Sequence, residues 1–501
     1  MRHGAMRQMS WVPRPRLVRN APTLQDAPTE RDITAERGAA AESRDIAAGV
    51  DISGLTFAGP TLLREPAEAE EEARLLLQIA AEVEGALMVQ YLYPSYSVLP
   101  GLSVTLPNFP QPVLSDDWRD TIRDVAKQEM GHLVTVENLL LSLDAPPHLD
   151  RENFPIHSEL YPFPFHLQPL QLNTLAEYVV AEAPRVVPAA DKPDFDDAIS
   201  RIQMAGGKVS RVGQIYERLY WLFQDSDAPQ EPWPEAVNPF PEWPKWHILP
   251  ERVGFNQDRQ AMPSEWRGHD ASMPPDIAVY VLAVSDKATA REAIFRVAQQ
   301  GEGPADAHEL DTHFDKFLRI YREFRAYSNE PNVPPFVRHQ ASDPTTQPNQ
   351  TSTIIDAATL EWARLANARY VILLMTIALS LSLGTSGTVP GTTARRRDFI
   401  TWSFSEMQVS ITKLGEELRA MPLAANAAPE DLRAGLPFEL PSDRDLPISP
   451  PDQLLELRRL IAESGAHINN IRLQFNPTPR QNTLLKAIDT FNSSMLQKIV
   501  T

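Results

Sequence analysis

The stretch Trp118-Arg-Asp-Thr-Ile-Arg-Asp-Val-Ala-Lys-Gln-Glu-Met-Gly-His-Leu-Val-Thr-Val-Glu-Asn-Leu-Leu-Leu-Ser-Leu143 decides the fold. Trp118, Ile122, Val125, Val136, Leu139 and Leu143 fall on a ladder of alternating four- and three-residue steps, which keeps one face of a helix turned to a core. Glu129 and His132 occupy the middle rungs of that ladder, one turn apart and on the same face. A carboxylate and an imidazole buried on an apolar seam are costly unless they are paired or bind a metal. Glu-x-x-His alone is a weak string; on a core seam it points to metal chemistry.

Working outward, the neighbouring segments repeat the pattern. Ala67 to Tyr93 is helical, with Leu76, Ala80, Glu84, Leu87 and Tyr91 on one face and Pro94 and Pro100 as stops. Glu82 falls about 200° from Glu84 around that helix and points elsewhere. Ser115-Asp-Asp is an N-terminal cap signal for the second helix, which Asp144-Ala-Pro-Pro ends. A third helix, 170–183, carries Leu172, Leu175, Val179 and Glu182 on its seam. A fourth is expected over 199–223, with Glu217 as an exposed residue beside the seam. A fifth, 286–300, aligns Phe295 and Ala298 with Glu302, and a sixth, 308–327, embeds His313 among Leu310, Phe317, Ile320 and Phe324. Glu302 and His313 are eleven residues apart, roughly 16 Å along one straight helix. Gly301, Gly303 and Pro304 allow a bend that would bring them together; Glu309, one turn before His313, is the alternative partner.

The insertion 225–275 sets Trp233, Trp243, Trp246 and Trp266 among many prolines, either as a structural loop or as an aromatic wall over the site. Residues 331–352 read as a linker, and further helices are expected near 353–384, 395–421 and 452–474. Period-2 alternation is almost absent, so the chain is expected to be all-α.

Composition narrows the function. With 47 Lys and Arg against 66 Asp and Glu, the net charge of −19 argues against a nucleic-acid partner. The chain has no cysteine, which excludes disulfides, thiolate nucleophiles and iron–sulfur clusters. Any metal is held by His, Asp, Glu or backbone oxygen. The most apolar run, Tyr370 to Leu383, falls short of the ~20 residues of a membrane span, so a buried core helix and no membrane partner are expected. The Arg-rich N-terminus lacks the apolar segment of a secretory signal; residues 1–65 read as a mobile arm and the location as cytoplasmic. No glycine-rich nicotinamide, flavin or phosphate motif is present, so electrons or peroxide come from a partner or the substrate.

In order along the chain, Glu84-Gly-Ala-Leu-Met-Val-Gln-Tyr91-Leu, Gln128-Glu-Met-Gly-His132, Ala181-Glu-Ala-Pro184, Gly213-Gln-Ile-Tyr-Glu217, Gln300-Gly-Glu-Gly303 and Thr312-His-Phe-Asp-Lys-Phe317 resemble the ferritin-like domain of the iminophenyl-pyruvate dimer synthase family. The resemblance covers roughly residues 65–330, and 353–440 more loosely, and implies a ferritin-like four-helix bundle with extra helices over 66–330; the helical pattern beyond the linker gives a second, smaller C-terminal helical region over 353–501. The resemblance implies one or two iron ions, with manganese as the alternative, held by Glu84, Glu129, His132, Glu182, Glu302 and His313. Tyr91, on the same face of its helix as Glu84, is expected to act beside them as a hydrogen-bond partner or a radical relay. Such bundles commonly take a Glu from each of two helices and a Glu-x-x-His from each of two others; only one regular Glu-x-x-His is present here. The expected function is that of a non-haem iron oxidase or oxygenase acting on a small-molecule substrate, an amino-acid-derived aromatic metabolite, with dioxygen or peroxide as oxidant; the reaction the resemblance implies is oxidative coupling of amino-acid-derived imines in secondary metabolism. A homo-oligomer is compatible with it. A ferroxidase and a metal-free scaffold of the same fold are the alternative readings.

Overall fold

A computed structural model of the chain describes residues 49–51, 69–157, 163–184, 186–205, 211–224, 248–250, 255–266, 281–302, 312–329, 335–384, 387–389, 392–428, 430–442 and 445–500. Strand β1 (Gly49–Asp51) precedes helix α1 (Ala69–Ser97), strands β2 (Ser103–Val104) and β3 (Val113–Leu114), and α2 (Ser115–Ser142). Then come α3 (Leu172–Ala181), β4 (Val186–Pro188), α4 (Lys192–Met204), α5 (Gly213–Leu222), α6 (Lys287–Glu302) and α7 (His313–Ser328). The C-terminal region holds α8 (Ala357–Ser382), α9 (Arg396–Ser405), a π-helical turn (Glu406–Ile411), α10 (Thr412–Leu418), α11 (Pro450–Gln474) and α12 (Pro479–Ile499). The strands form only two short antiparallel pairs, β1 with β4 and β2 with β3. The described architecture is all-α.

Helices α1 and α2 pack along each other and serve two cores. Leu76, Leu87 and Tyr91 of α1 join Ile122, Val125 and Val136 of α2 in one core, with Tyr178, Tyr216 and Phe317. Met88, Val89, Tyr93 and Tyr96 of α1 join Met130, Val134 and Leu141 of α2 in the other, with α8, α9, α11 and α12. Gly415 on α10 lies so close to Tyr96 that a Cβ would stand 2.7 Å from the ring. By length and composition α1 and α8 could cross a membrane, yet their apolar windows are 78% and 89% buried inside the protein, as core helices are. The apolar run at Tyr370 belongs to a helix longer than the run itself.

Several local expectations need correction. Helix α1 does not stop at Pro94 but continues to Ser97. Proline lacks the N–H that would bond the carbonyl of Gln90, and the Tyr178 hydroxyl donates to that carbonyl instead, at 2.8 Å. Tyr178→Phe keeps the ring and strips this donor. It is expected to lower unfolding free energy by about 1–3 kcal/mol, the usual cost of a buried unpaired carbonyl, read by urea denaturation; an unchanged midpoint would contradict the account.

Ser115 is the first residue of α2 rather than its cap. Its Oγ accepts from the Leu102 N–H at 3.0 Å, and Asp116 accepts from the Gly101 N–H, so the cap-like residues tie down the α1–β2 connection instead. The single fourth helix is two, α4 and α5, with Gly206 and Gly207 in the sequence between them. The sixth helix begins at His313, fixed there by a capping box between Thr312 and Asp315. A helix the sequence reading missed, α12, starts with a capping box of Thr478 and Gln481 and with Pro479 at its first turn. Asp191, Asp194 and Asp197 around the start of α4 pair with Arg322 and Arg325, anchoring α7 and with it His313.

Candidate metal centre

Between α1, α2, α3 and α7 two groups of side chains meet. Glu84, Glu129 and His132 bring ligand atoms within 4.8 Å of one another, as do Glu129, Glu182 and His313. Glu129 belongs to both. The five are 1–4% exposed. Glu84 comes from the middle of α1, Glu129 and His132 from adjacent turns of α2, Glu182 from the residue ending α3, and His313 from the first residue of α7.

Each Glu129 oxygen faces one imidazole. Oε2 lies 2.8 Å from His132 Nδ1 and Oε1 lies 2.9 Å from His313 Nδ1. Farther out, Glu84 Oε2 is 3.5 Å from His132 Nδ1 and Glu182 Oε2 is 3.6 Å from His313 Nδ1. The two imidazole rings stand 5.5 Å apart between centroids.

Three buried atoms at this point lack a hydrogen-bond partner: Glu84 Oε2, Glu129 Oε1 and His313 Nδ1. The Glu129–His313 approach is close but not aligned as a hydrogen bond. One such atom costs about 1–3 kcal/mol, so three facing one space call for a compensating charge. The donor set is carboxylate oxygen and imidazole nitrogen, which suits iron, manganese or zinc. Three carboxylates and two neutral imidazoles carry a formal charge of −3, which divalent cations would offset.

Residues 77–322, the span holding all five side chains, match the family model described as Ferritin-like. The chain carries a ferritin-like domain. Over 164 residues it is also 28% identical to 2-imino-3-(indol-3-yl)propanoate dimerase of Chromobacterium violaceum, covering 26% of this chain and 15% of that protein. Both findings support the resemblance to the iminophenyl-pyruvate dimer synthase family, although the chain spans only a small part of this relative's length. No solved structure matches.

Within the ferritin-like domain, Glu84, Glu129, His132, Glu182 and His313 come together as described. Glu302 ends α6, but its side chain lies outside the described residues, as do Glu309 and the expected bend at Gly303 and Pro304. Glu217 is partly exposed, pairs with Arg211 and belongs to neither ligand group. Glu82 turns away to meet His148 Nε2 at 2.7 Å. Tyr91 is fully buried, donates its hydroxyl to Glu182 Oε1 and packs edge-on against Tyr178 with centroids 4.6 Å apart. Of the four tryptophans between 225 and 275, only Trp266 is described; it packs in the second core near Phe404 and does not line the centre.

Three residues that the sequence reading gave no role touch the cluster. Tyr216 donates its hydroxyl to Glu84 Oε1. Gln300 Oε1 lies 2.8 Å from His132 Nε2, and Gln128 Oε1 lies 2.8 Å from His313 Nε2. Lys316 Nζ also donates to Gln128 Oε1, at 3.1 Å.

Without a cation the cluster balances its charge with protons. Burial, reinforced by the Glu129 carboxylate, pushes the Glu84 carboxyl up to about 8. Burial alone would raise Glu129 too, but His313 and His132 hold it below the ordinary carboxylate range. Both histidines are raised in spite of burial because Glu129 faces each of them. A metal must displace such protons. The Glu84 proton is held below about 8 and lost above it. Metal affinity is therefore expected to strengthen from about pH 6 to about pH 8.5, with proton release that diminishes over the same range. Titration calorimetry in buffers of different ionisation enthalpy reads both, and a flat affinity would contradict the assignment.

Proposed function

We propose that the ferritin-like domain binds iron between Glu84, Glu129, His132, Glu182 and His313 and uses it to oxidise a small, amino-acid-derived substrate, in the manner of imine coupling. The observation that carries this reading is the one carboxylate, Glu129, shared by two like groups in which Glu84 Oε2, Glu129 Oε1 and His313 Nδ1 lack hydrogen-bond partners. Iron, with manganese as the alternative, would supply when bound the redox chemistry needed to bring the oxidant and the substrate together. The dimerase's name supplies the proposed substrate class, an aromatic 2-imino acid. Joining two such molecules through a new carbon–carbon bond removes two electrons and two protons, which dioxygen or peroxide takes up.

The chain's own part is geometry and exclusion of water. Glu84, Glu129, Glu182, His132 and His313 sit in a buried setting where electrostatic interactions are strong. Tyr91, Tyr178 and Phe317 pack as an aromatic wedge on the Glu182 side. Gln128, Gln300 and Lys316 are partly exposed. They mark a side on which the centre approaches solvent, and substrate entry is proposed there.

The test is to generate the imino acid of tryptophan with an amino-acid oxidase, add iron-loaded protein, and follow oxygen uptake and products by mass spectrometry. The expected product has the mass of two imino acids less two hydrogens, and it is absent with metal-free protein. No coupled product from any aromatic imino acid, with or without peroxide, would defeat the reading. Oxygen uptake driven by ferrous iron alone would favour a ferroxidase.

A further inference from the structure

We infer that Tyr216 with Gln300, and Tyr91 with Gln128, are two matched sets of positioning residues, each aiming the ligand atoms of one half of the centre. This rests on the proposed metal centre and adds to it what makes the two halves independently adjustable.

The two halves repeat each other contact for contact. Tyr216 holds Glu84 Oε1, which leaves Oε2 facing His132 at 3.5 Å. Tyr91 holds Glu182 Oε1, which leaves Oε2 facing His313 at 3.6 Å. Behind the rings, Gln300 and Gln128 present their amide oxygens to His132 Nε2 and His313 Nε2, both at 2.8 Å. An amide oxygen only accepts, so each Nε2 must carry its proton. When a metal takes the place of the Nδ1 proton, the ring is neutral and its Nδ1 lone pair faces the side on which Glu129 lies, the orientation a metal ligand needs. The amide of Gln128 is fixed the right way round, because the Lys316 ammonium donates to the same oxygen.

Each positioning residue comes from a different helix than the ligand it holds. Tyr216 on α5 reaches Glu84 on α1, and Tyr91 on α1 reaches Glu182 at the end of α3. Gln300 on α6 reaches His132 on α2, and Gln128 on α2 reaches His313 on α7. A phenol that occupies one carboxylate oxygen leaves the other as the single ligand atom. A neutral amide behind the imidazole makes it a weaker donor than a carboxylate there would.

The test is anaerobic titration of the full-length protein with Fe(II) and with Mn(II), resolving stepwise affinities. The wild-type protein is expected to show two comparable steps. Tyr216→Phe and Gln300→Leu are each expected to weaken one step about 10- to 100-fold, the usual effect of losing such a partner, and to spare the other. Tyr91→Phe and Gln128→Leu are expected to weaken the opposite step. Gln300→Glu keeps an acceptor behind His132 and is expected to restore or tighten the step that Gln300→Leu loosens, a rescue that a purely structural role would not give.

Thermal unfolding of the metal-free variants separates folding from metal binding. Should Tyr216→Phe fail to fold, the Gln300 pair at its partly exposed position decides. Two unaltered steps in Gln300→Leu, or equal weakening of both steps by it, would overturn the assignment while leaving the metal centre in place. A wild-type protein that binds no metal would overturn the centre itself, and the assignment with it.

Discussion

Glu129→Ala is expected to remove both metal ions at once, whereas Glu84→Ala or Glu182→Ala removes one. Glu129 is the only side chain among the described residues that belongs to both ligand groups. Its two oxygens each face one imidazole, at 2.8 Å and 2.9 Å. Without it each half keeps one histidine and one carboxylate, too few protein ligands to retain a divalent ion through purification. Metal content per chain is expected to fall to less than about a tenth of wild type, since affinity follows the number of deprotonated ligands. Glu129→Gln keeps the volume and removes the charge; it is expected to behave nearly as Ala does. An Ala variant that keeps one ion would show that the halves do not depend on a shared carboxylate.

Glu406→Ala is expected to cost about 3–5 kcal/mol of unfolding free energy, the range for leaving a buried charge without its partner. Arg369 on α8 and Glu406 at the start of the π-helical turn are both wholly buried and hydrogen-bonded through two guanidinium nitrogens. Asn492 on α12 and Ser464 on α11 complete the guanidinium's contacts. The pair therefore sits where four segments of the C-terminal region meet, among the apolar side chains of the second core. Once Glu406 is removed, Asn492 and Ser464 offer no charge to offset the cation. Urea denaturation reads the loss. The double variant with Arg369→Leu is expected to recover much of it, because no unpaired charge then remains. A loss below about 1 kcal/mol in Glu406→Ala would mean that the guanidinium finds water or another acceptor.

The parts of the centre that were legible in the sequence were those that break an apolar rhythm. Glu129 and His132 stand where the α2 ladder calls for Val or Leu. Glu84, Glu182 and His313 interrupt their own seams in the same way. The second regular Glu-x-x-His that the sequence lacks is not required by this geometry. The second group takes Glu182 and His313 from two different elements and borrows Glu129 from a third.

Tyr216, Gln300 and Gln128 were hidden for a physical reason. A buried tyrosine looks like packing, and a glutamine at the edge of a seam breaks no pattern and carries no charge. Glu217, the acid next to Tyr216, is the more conspicuous of the two in the sequence only because it is charged. Element ends were misjudged where distant residues make up for local chemistry. Pro94 reads as a stop until the Tyr178 hydroxyl takes over its missing hydrogen bond. Ser115 reads as a cap until its hydroxyl is seen to serve Leu102. Helix α12 was missed although its Thr478–Gln481 capping box was written in the chain.

Metal held at the shared carboxylate Glu129 is what the proposed function of this ferritin-like domain requires. Its most direct test is elemental analysis of full-length protein purified without chelator, before and after anaerobic reconstitution with Fe(II) and Mn(II). About two ions per chain after reconstitution, falling to nearly none in Glu129→Ala, is the predicted result for a two-metal carboxylate centre. Less than about a tenth of an equivalent in the wild-type protein, with no uptake on reconstitution, would contradict it.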